Sequence, residues 1–73
     1  MRKTRKTIRD LRKLKGWTQV ELAHHTGVAP STIYNWESGR FEPRVAQLRD
    51  LADVLGVTMD EIELVDEGKL AAA

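Results

Sequence analysis

Cysteine is absent from this chain of 73 residues, which excludes disulfides and thiolate metal sites. Aromatic residues make up only 5% of the chain, and there are only two prolines. No run of about 18 apolar residues occurs, so no transmembrane helix is predicted, and the basic N-terminus lacks the apolar stretch of a signal peptide. With 41% hydrophobic and 32% charged residues, the composition is typical of one small folded domain within the cell.

The charge is small in sum but segregated along the chain. The net charge is +1, yet residues 1–15 hold eight basic residues and one acidic residue, whereas residues 50–73 hold one basic and seven acidic residues. A basic first part indicates a polyanionic partner. A solvated, charged helix face would give the same pattern, and only its combination with the motif described next favours nucleic acid.

Residues 18–37 predict two short helices joined by a tight turn. Thr18 and Glu21 form a Thr-x-x-Glu capping box, which starts a helix. Gly27 can take the left-handed conformation that ends it. Pro30 then stands at the first position of the second helix, where its missing N–H has no intrahelical partner. Two such helices with a glycine-containing turn are a helix-turn-helix.

Three further helices are predicted around this pair, so the chain is expected to be all-α, a compact five-helix bundle. The first helix precedes the pair, the fourth spans roughly 44–55, and a second capping box at Thr58 and Glu61 starts a short fifth helix. No segment alternates like a strand. The residues expected to face inward are Ile8, Leu11 and Leu14 in the first helix and Val45, Leu48, Leu51, Ala52 and Leu55 in the fourth.

The chain is expected to divide into three parts. Residues 1–6 are a basic N-terminal arm and the start of the first helix. Residues 7–65 form the helix-turn-helix domain, with the motif at 18–37. Residues 66–73 are a tail, and the last five of them, 69–73, read as a translated remnant of an expression vector.

A longer pattern of residues runs through the chain at fixed spacing. Its central part is Leu14-x-Gly16-x-Thr18-Gln19-x-x-Leu22-Ala23-x-x-x-Gly27-Val28, followed by Ser31-Thr32-Ile33-x-x-Trp36-Glu37-x-Gly39. It continues through Pro43, Leu48, Leu51-Ala52, Leu55-Gly56-Val57 and Ile62. With this pattern the chain resembles the lambda-repressor-like, Xre/Cro-type family of helix-turn-helix DNA-binding domains, over about residues 7–64.

The resemblance implies a sequence-specific transcriptional regulator of double-stranded DNA, most simply a repressor. Its third helix, residues 30–38, would lie in the major groove, and the N-terminus of the second helix would point at a phosphate. Residues on one face of the third helix would contact bases, and cations around it would contact phosphates. The base contacts expected are Ser31, Tyr34 and Asn35, and the phosphate contacts expected are Thr18, Gln19, Arg40, Arg44 and Arg12.

The resemblance also implies an ion pair between Arg12 and Glu37 that orients the third helix. The alternative is two independent surface charges, which would contribute almost nothing. The chain departs from the family pattern at Ala29 and Pro30, because polar residues usually start the third helix. The missing cap at Ala29 is expected to cost about 1 kcal/mol of helix stability.

The partners expected are a palindromic DNA operator and a second copy of the chain. Half-sites would lie about 34 Å apart, one helical turn, and Ile62, Leu64 and Val65 are the predicted dimer contact. No cofactor and no metal are expected. The protein would act in the cytoplasm of a bacterium, as a bacterial or phage-type regulator.

Two other kinds of function are alternatives to DNA binding. An enzyme is not expected, because the adjacent His24 and His25 diverge by about 100° on a helix and cannot share a metal. No glycine-rich phosphate loop is present either. An antitoxin or protein-interaction module on the same fold stays open, with the acidic C-terminal third as its binding surface.

Overall fold

A computed structural model describes residues 5–65 of the chain. Within this part, four α-helices follow one another, Ile8–Leu14 (α1), Gln19–Thr26 (α2), Pro30–Ser38 (α3) and Val45–Leu55 (α4). Two short strands, Lys6–Thr7 (β1) and Ile62–Glu63 (β2), and a 3-10 turn at Met59–Glu61 complete it. No helix in this part has the length and apolar character to cross a bilayer.

Two predicted segments fall partly or wholly outside the described residues. Of the predicted arm at 1–6, only Arg5 and Lys6 are described, and Lys6 belongs to β1. The tail at 66–73, including the suspected vector remnant at 69–73, lies outside them.

The helix-turn-helix forms where the capping residues predict it. The Thr18 hydroxyl accepts a hydrogen bond from the Glu21 N–H at 3.1 Å, and the Glu21 carboxylate accepts one from the Thr18 N–H at 2.9 Å. Gly27 ends α2 with φ of +76°, a left-handed conformation that strains any residue with a Cβ. Pro30 then stands at the first position of α3, as predicted.

The predicted fifth helix is wrong. The second capping box does form, since the Glu61 carboxylate accepts a hydrogen bond from the Thr58 N–H at 2.9 Å. The helix that it starts is only the 3-10 turn Met59–Glu61. Ile62 directly afterwards is extended and only 2% exposed, so the chain leaves the helical conformation to bury this side chain.

A pair of two-residue strands closes the domain and was not predicted. β1 and β2 are parallel, with Lys6 beside Ile62 and Thr7 beside Glu63. The Arg5 guanidinium also donates to the Ile62 carbonyl at 3.3 Å. The prediction that no strand forms was wrong, because strands of two residues are too short to show an alternating pattern in the sequence.

The core lies between α1, α2, α3, α4 and β2. Partly buried hydrophobic residues, among them Trp17, Leu48 and Leu64, pack against this core. The buried hydrophobic residues are Ile8, Leu11, Leu22, Ala23, Ile33, Trp36, Leu51, Ala52, Leu55 and Ile62.

Two residues predicted to face inward are exposed. Leu14 is 71% exposed, because a repeat of three residues drifts around a helix of 3.6 residues per turn. The inward face of α1 is completed by Arg12 instead, which is only 9% exposed. Val45 is 66% exposed because it is the first residue of α4, whereas Leu48 is half-buried and Leu51 is fully buried.

The predicted dimer contact also needs correction. Ile62 is 2% exposed and belongs to the core, so its side chain cannot meet a second copy. Leu64 is half-buried and packs against the same core. A dimer contact centred on these side chains would compete with the packing that holds β2 in place.

Candidate nucleic-acid interface

Helix α3 has one anchored face and one open face. Ile33 is fully buried and Trp36 is 4% exposed, so these two side chains hold the helix against the core. Ser31 and Tyr34 are exposed, and Asn35 is half-buried. Because residues three and four apart share a face of a helix, the three predicted base-contacting residues lie on one surface.

A hydrogen-bonded ion pair joins α1 to the end of α3. The Arg12 guanidinium donates from Nε to Glu37 Oε2 at 2.7 Å and from Nη2 to Glu37 Oε1 at 3.2 Å. Its Nη1 donates to the Trp17 carbonyl at 2.8 Å. The Arg12 and Glu37 side chains are 11% and 4% exposed, so the pair is desolvated rather than a surface contact.

Helix α2 joins the same network through Gln19. The Gln19 amide donates to Glu37 Oε1 at 3.0 Å, so the Glu37 carboxylate accepts hydrogen bonds from both preceding helices. Among residues 5–65, no buried side-chain nitrogen or oxygen lacks a hydrogen-bond partner. The two-pronged geometry of guanidinium and carboxylate limits rotation of α3 about its axis. We call Arg12, Gln19 and Glu37 the brace.

A polar hollow of about 280 Å³ opens beside the brace. The hollow is large enough for a phosphate group, and α1, α2 and α3 all contribute to its walls. Arg9, which is exposed, was not among the predicted site residues. The signal that could have found it is its position one turn before Arg12 on α1. The lining residues are Arg9, Arg12, Gln19, Tyr34, Glu37 and Ser38.

The connection after α3 is fixed to the helix by backbone hydrogen bonds. Gly39 ends α3 with φ of +81°. The Arg40 and Phe41 N–H groups then both donate to the Asn35 carbonyl, at 3.0 and 3.3 Å. Arg40 and Arg44 are both exposed. Arg40 therefore lies beside the C-terminal end of α3, and Arg44 stands at the N-cap of α4.

The start of α3 lacks a side-chain cap, as the sequence predicts. Ala29 occupies the capping position with φ of −72° and ψ of 149°, the extended conformation of an N-cap, but its methyl group cannot accept a hydrogen bond. Pro30 follows and has no N–H to satisfy.

The two histidines are exposed and lie beside Trp17. The His25 ring stacks on the Trp17 ring with centroids 4.2 Å apart, and the His24 ring lies edge-on to His25 at 5.9 Å. Within residues 5–65, no three His, Asp or Glu side chains are grouped so that they could hold a metal ion.

The chain is similar to several known proteins. The helix-turn-helix family matches residues 8–62. The chain is 42% identical over 55 residues to the uncharacterized HTH-type transcriptional regulator YazB of Bacillus subtilis, covering 75% of this chain and 80% of that protein. It is 39% identical over 64 residues to an uncharacterized HTH-type transcriptional regulator of Methanothermobacter thermautotrophicus, covering 86% and 93%.

Two further similarities are informative about size and fold. The chain is 38% identical over 55 residues to the HTH-type transcriptional regulator AnsR of Bacillus subtilis, but the match spans only 47% of that longer protein. The crystal structure of the hypothetical transcription factor NHTF from Neisseria superposes with a TM-score of 0.73 and 28% sequence identity, covering 89% of this chain and 73% of that one.

Proposed function

The chain belongs to the helix-turn-helix family of DNA-binding transcriptional regulators, and on that premise we propose that it is a sequence-specific repressor whose helix α3 reads the major groove. The observation that carries this proposal is the open face of α3, oriented by a desolvated brace and bordered by exposed arginines. A helix presented in this way can enter a major groove without rearrangement.

The base contacts in this proposal come from three side chains of α3. Asn35 can donate to N7 and accept from N6 of an adenine in a bidentate pair, and the Ser31 hydroxyl can bond to several bases. Tyr34, which is 56% exposed, can reach a thymine methyl group or a neighbouring phosphate. Pro30, the first residue of α3, can offer only apolar contact. We therefore assign it no base-specific hydrogen bond.

The phosphate contacts in this proposal lie on both sides of α3. On one side, Thr18 and Gln19 stand at the N-terminus of α2, where free N–H groups and the positive end of the helix dipole attract an anion. The hollow next to them adds the guanidinium of Arg9, and Arg12 contributes through its N–H groups not used in the brace. On the other side stand Arg40 and Arg44.

Arg12 in the brace and Arg9 in the hollow have different roles in this proposal. Arg12 has all three guanidinium nitrogens engaged with Glu37 and Trp17, so its main role in the proposal is to orient α3. Arg9 is exposed and supplies the stronger attraction for a phosphate in the hollow. Mutation of Arg9 should therefore act on affinity alone, and mutation of Arg12 on stability as well.

The proposed operator is a palindrome occupied by two copies of the chain. One α3 reads only a few base pairs, whereas a two-fold pair of copies reads twice as many at a fixed spacing of about 34 Å. Repression is the simplest consequence, because it requires only occupancy of the operator. The role places the protein with genomic DNA, in the cytoplasm of a cell without a nucleus.

Selection of bound sequences from a library of random DNA duplexes tests the proposal. We expect an enriched inverted repeat whose half-sites are centred about one helical turn apart. Asn35→Ala protein should lose the preference at one position of each half-site while still binding DNA. Failure to enrich any sequence, together with no duplex binding at about 50 mM salt, would refute the proposal and leave the antitoxin or protein-interaction module.

A further inference from the structure

The exposed side chains at the start of α3 are apolar. Ala29 at the N-cap and Pro30 at the first helical position are both exposed, and neither side chain can form a hydrogen bond. They stand directly before Ser31, the first of the proposed base contacts. In DNA-reading helices of this kind the N-terminal residues contact base edges, so in the function proposed above these two residues also meet bases.

The backbone of this turn offers few hydrogen-bond donors. Pro30 has no N–H group. The N–H groups of Thr32 and Ile33 donate to the Ala29 carbonyl at 2.9 and 3.4 Å, so they are engaged within the helix. A base edge that meets Pro30 therefore finds neither a side-chain donor or acceptor nor an N–H group.

Tyr34 extends this apolar surface by one turn. Residues four apart lie one above the other on a helix, and helical side chains lean toward the N-terminus, so the rings of Pro30 and Tyr34 share one strip of the surface. Tyr34 is 56% exposed, so much of its ring is uncovered. We call Ala29, Pro30 and Tyr34 the apolar strip; it borders the hydroxyl group of Ser31.

The major groove offers the apolar strip one apolar feature. Every base pair presents hydrogen-bond donors and acceptors there, and thymine adds its C5 methyl group. A prolyl ring placed over donors and acceptors would remove water from them without replacing its hydrogen bonds, which costs free energy. Over a methyl group the same ring removes only apolar surface from water, which is favourable. The apolar strip therefore favours a base that carries a methyl group.

Resting on the function proposed above, we propose that the apolar strip reads a C5 methyl group, whichever pyrimidine carries it. Thymine is one such base, and 5-methylcytosine presents a methyl group at the same ring position. Because Pro30 forms no hydrogen bond to the base, it distinguishes a methyl group from a hydrogen atom rather than thymine from cytosine. Binding of this chain therefore responds to cytosine methylation wherever a half-site carries cytosine at this position.

Duplexes that differ by a single methyl group test this inference. In the operator recovered by selection, each thymine of one half-site is replaced singly by deoxyuridine, which lacks only the methyl group. At the position that faces the apolar strip, we expect binding to weaken about fourfold, the effect of burying one methyl group. At the same position, a 5-methylcytosine–guanine pair should bind about fourfold more tightly than a cytosine–guanine pair.

Variants at Pro30 connect the methyl effect to the apolar strip. Pro30→Ser replaces the ring by a hydroxyl group, so the ratio of affinities for thymine and deoxyuridine duplexes should fall to about 1. Pro30→Val restores an apolar side chain and should keep the ratio above that of Pro30→Ser. Val45→Ser is the matched control, because Val45 is also an exposed apolar residue at the first position of a helix, and it should leave the ratio unchanged. Each ratio compares two duplexes with one protein, so a change in the stability of a variant cancels.

The outcomes separate this inference from the proposed function. A selected half-site without thymine, equal affinity for thymine and deoxyuridine at every position, or an unchanged ratio in Pro30→Ser protein would overturn the methyl reading and leave sequence-specific binding intact. A methyl effect with thymine but none with cytosine would overturn the claim that the methyl group alone is read. If the unmodified protein selects no sequence and binds no duplex, the proposed function fails and the inference fails with it.

Discussion

Among single substitutions outside the hydrophobic core, Arg12→Ala should lower the free energy of unfolding the most. In the intact protein, Glu37 accepts hydrogen bonds from Arg12 Nε and Nη2 and from Gln19. After Arg12→Ala only the bond from Gln19 remains. The Glu37 side chain is 4% exposed, so its carboxylate cannot regain full hydration without moving the end of α3.

The expected loss of stability follows from the burial of the Arg12–Glu37 pair. Breaking a buried ion pair by removing one partner costs about 3–5 kcal/mol, because a charge is left buried without compensation. The free energy of unfolding of a domain of this length is about 4–11 kcal/mol. Arg12→Ala should thus remove about a quarter or more of the total stability. Each kcal/mol lowers Tm by about 4–8 °C in a domain of this size, so Tm should fall by at least 12 °C.

Urea unfolding followed by tryptophan fluorescence measures this loss, because Trp36 is buried at the end of α3 and reports its release. Arg9→Ala is the matched control, an exposed arginine one turn away on α1, and should change the free energy of unfolding by less than about 0.5 kcal/mol. If Arg12→Ala lowers the free energy of unfolding no more than Arg9→Ala does, Arg12 and Glu37 do not form a desolvated pair in solution.

A double substitution separates loss of the pair from loss of packing. Arg12→Met combined with Glu37→Leu removes both charges and keeps apolar volume, which is often neutral for a buried pair. We expect the double variant to be more stable than the Arg12→Met single variant, with a coupling energy of about 1–3 kcal/mol. Strictly additive effects would contradict the direct contact. Loss of DNA affinity in a stable double variant would show that the brace also orients α3.

The remaining predictions concern single positions. Ala29→Ser should raise the free energy of unfolding by about 1 kcal/mol by capping α3; no rise in Tm would mean that the cap geometry is unsuitable. Gly27→Ala should cost about 1–2 kcal/mol from backbone strain alone, because its Cβ would meet no described atom within 4 Å; an unchanged urea midpoint would refute this. Asn35→Ala should weaken binding to the selected operator by about 1–3 kcal/mol and hardly change binding to random duplexes. Arg44→Ala should weaken both alike and reduce the salt slope by about one; the opposite pattern would show that the two roles are exchanged.

Local signals in the sequence predict the helix-turn-helix well. The capping box at Thr18 and Glu21, the left-handed Gly27 and the first-turn Pro30 each act within a few residues, so their consequences can be inferred without knowing the rest of the fold. The contact between Arg12 and Glu37 is different in kind. It joins residues 25 apart in the chain, and only the resemblance to a family suggested it.

The wrong predictions arose where tertiary packing overrides a local pattern. Thr58 and Glu61 form the predicted capping box, but burial of Ile62 and pairing with β1 end the helix after one turn. Leu14 and Val45 fit an apolar repeat, but each stands at a helix end where no other element packs over it. A periodic pattern does not reveal where the neighbouring elements stop.

The surface features proposed as functional were the least visible in the sequence. Arg9 is one of several cations in the first part of the chain, and only the hollow between three helices distinguishes it. Such assignments depend on which residues the fold brings together and which it leaves uncovered.

The salt dependence of binding to a random DNA duplex tests the central claim most directly. Release of counterions gives a slope of about −0.9 for each phosphate neutralised. With about three unpaired cations in contact, from Arg9, Arg40 and Arg44, affinity should fall roughly 40-fold between 50 and 200 mM salt. A measured slope of about −2 to −3 would support the account. A slope near zero, or no binding at 50 mM salt, would contradict it.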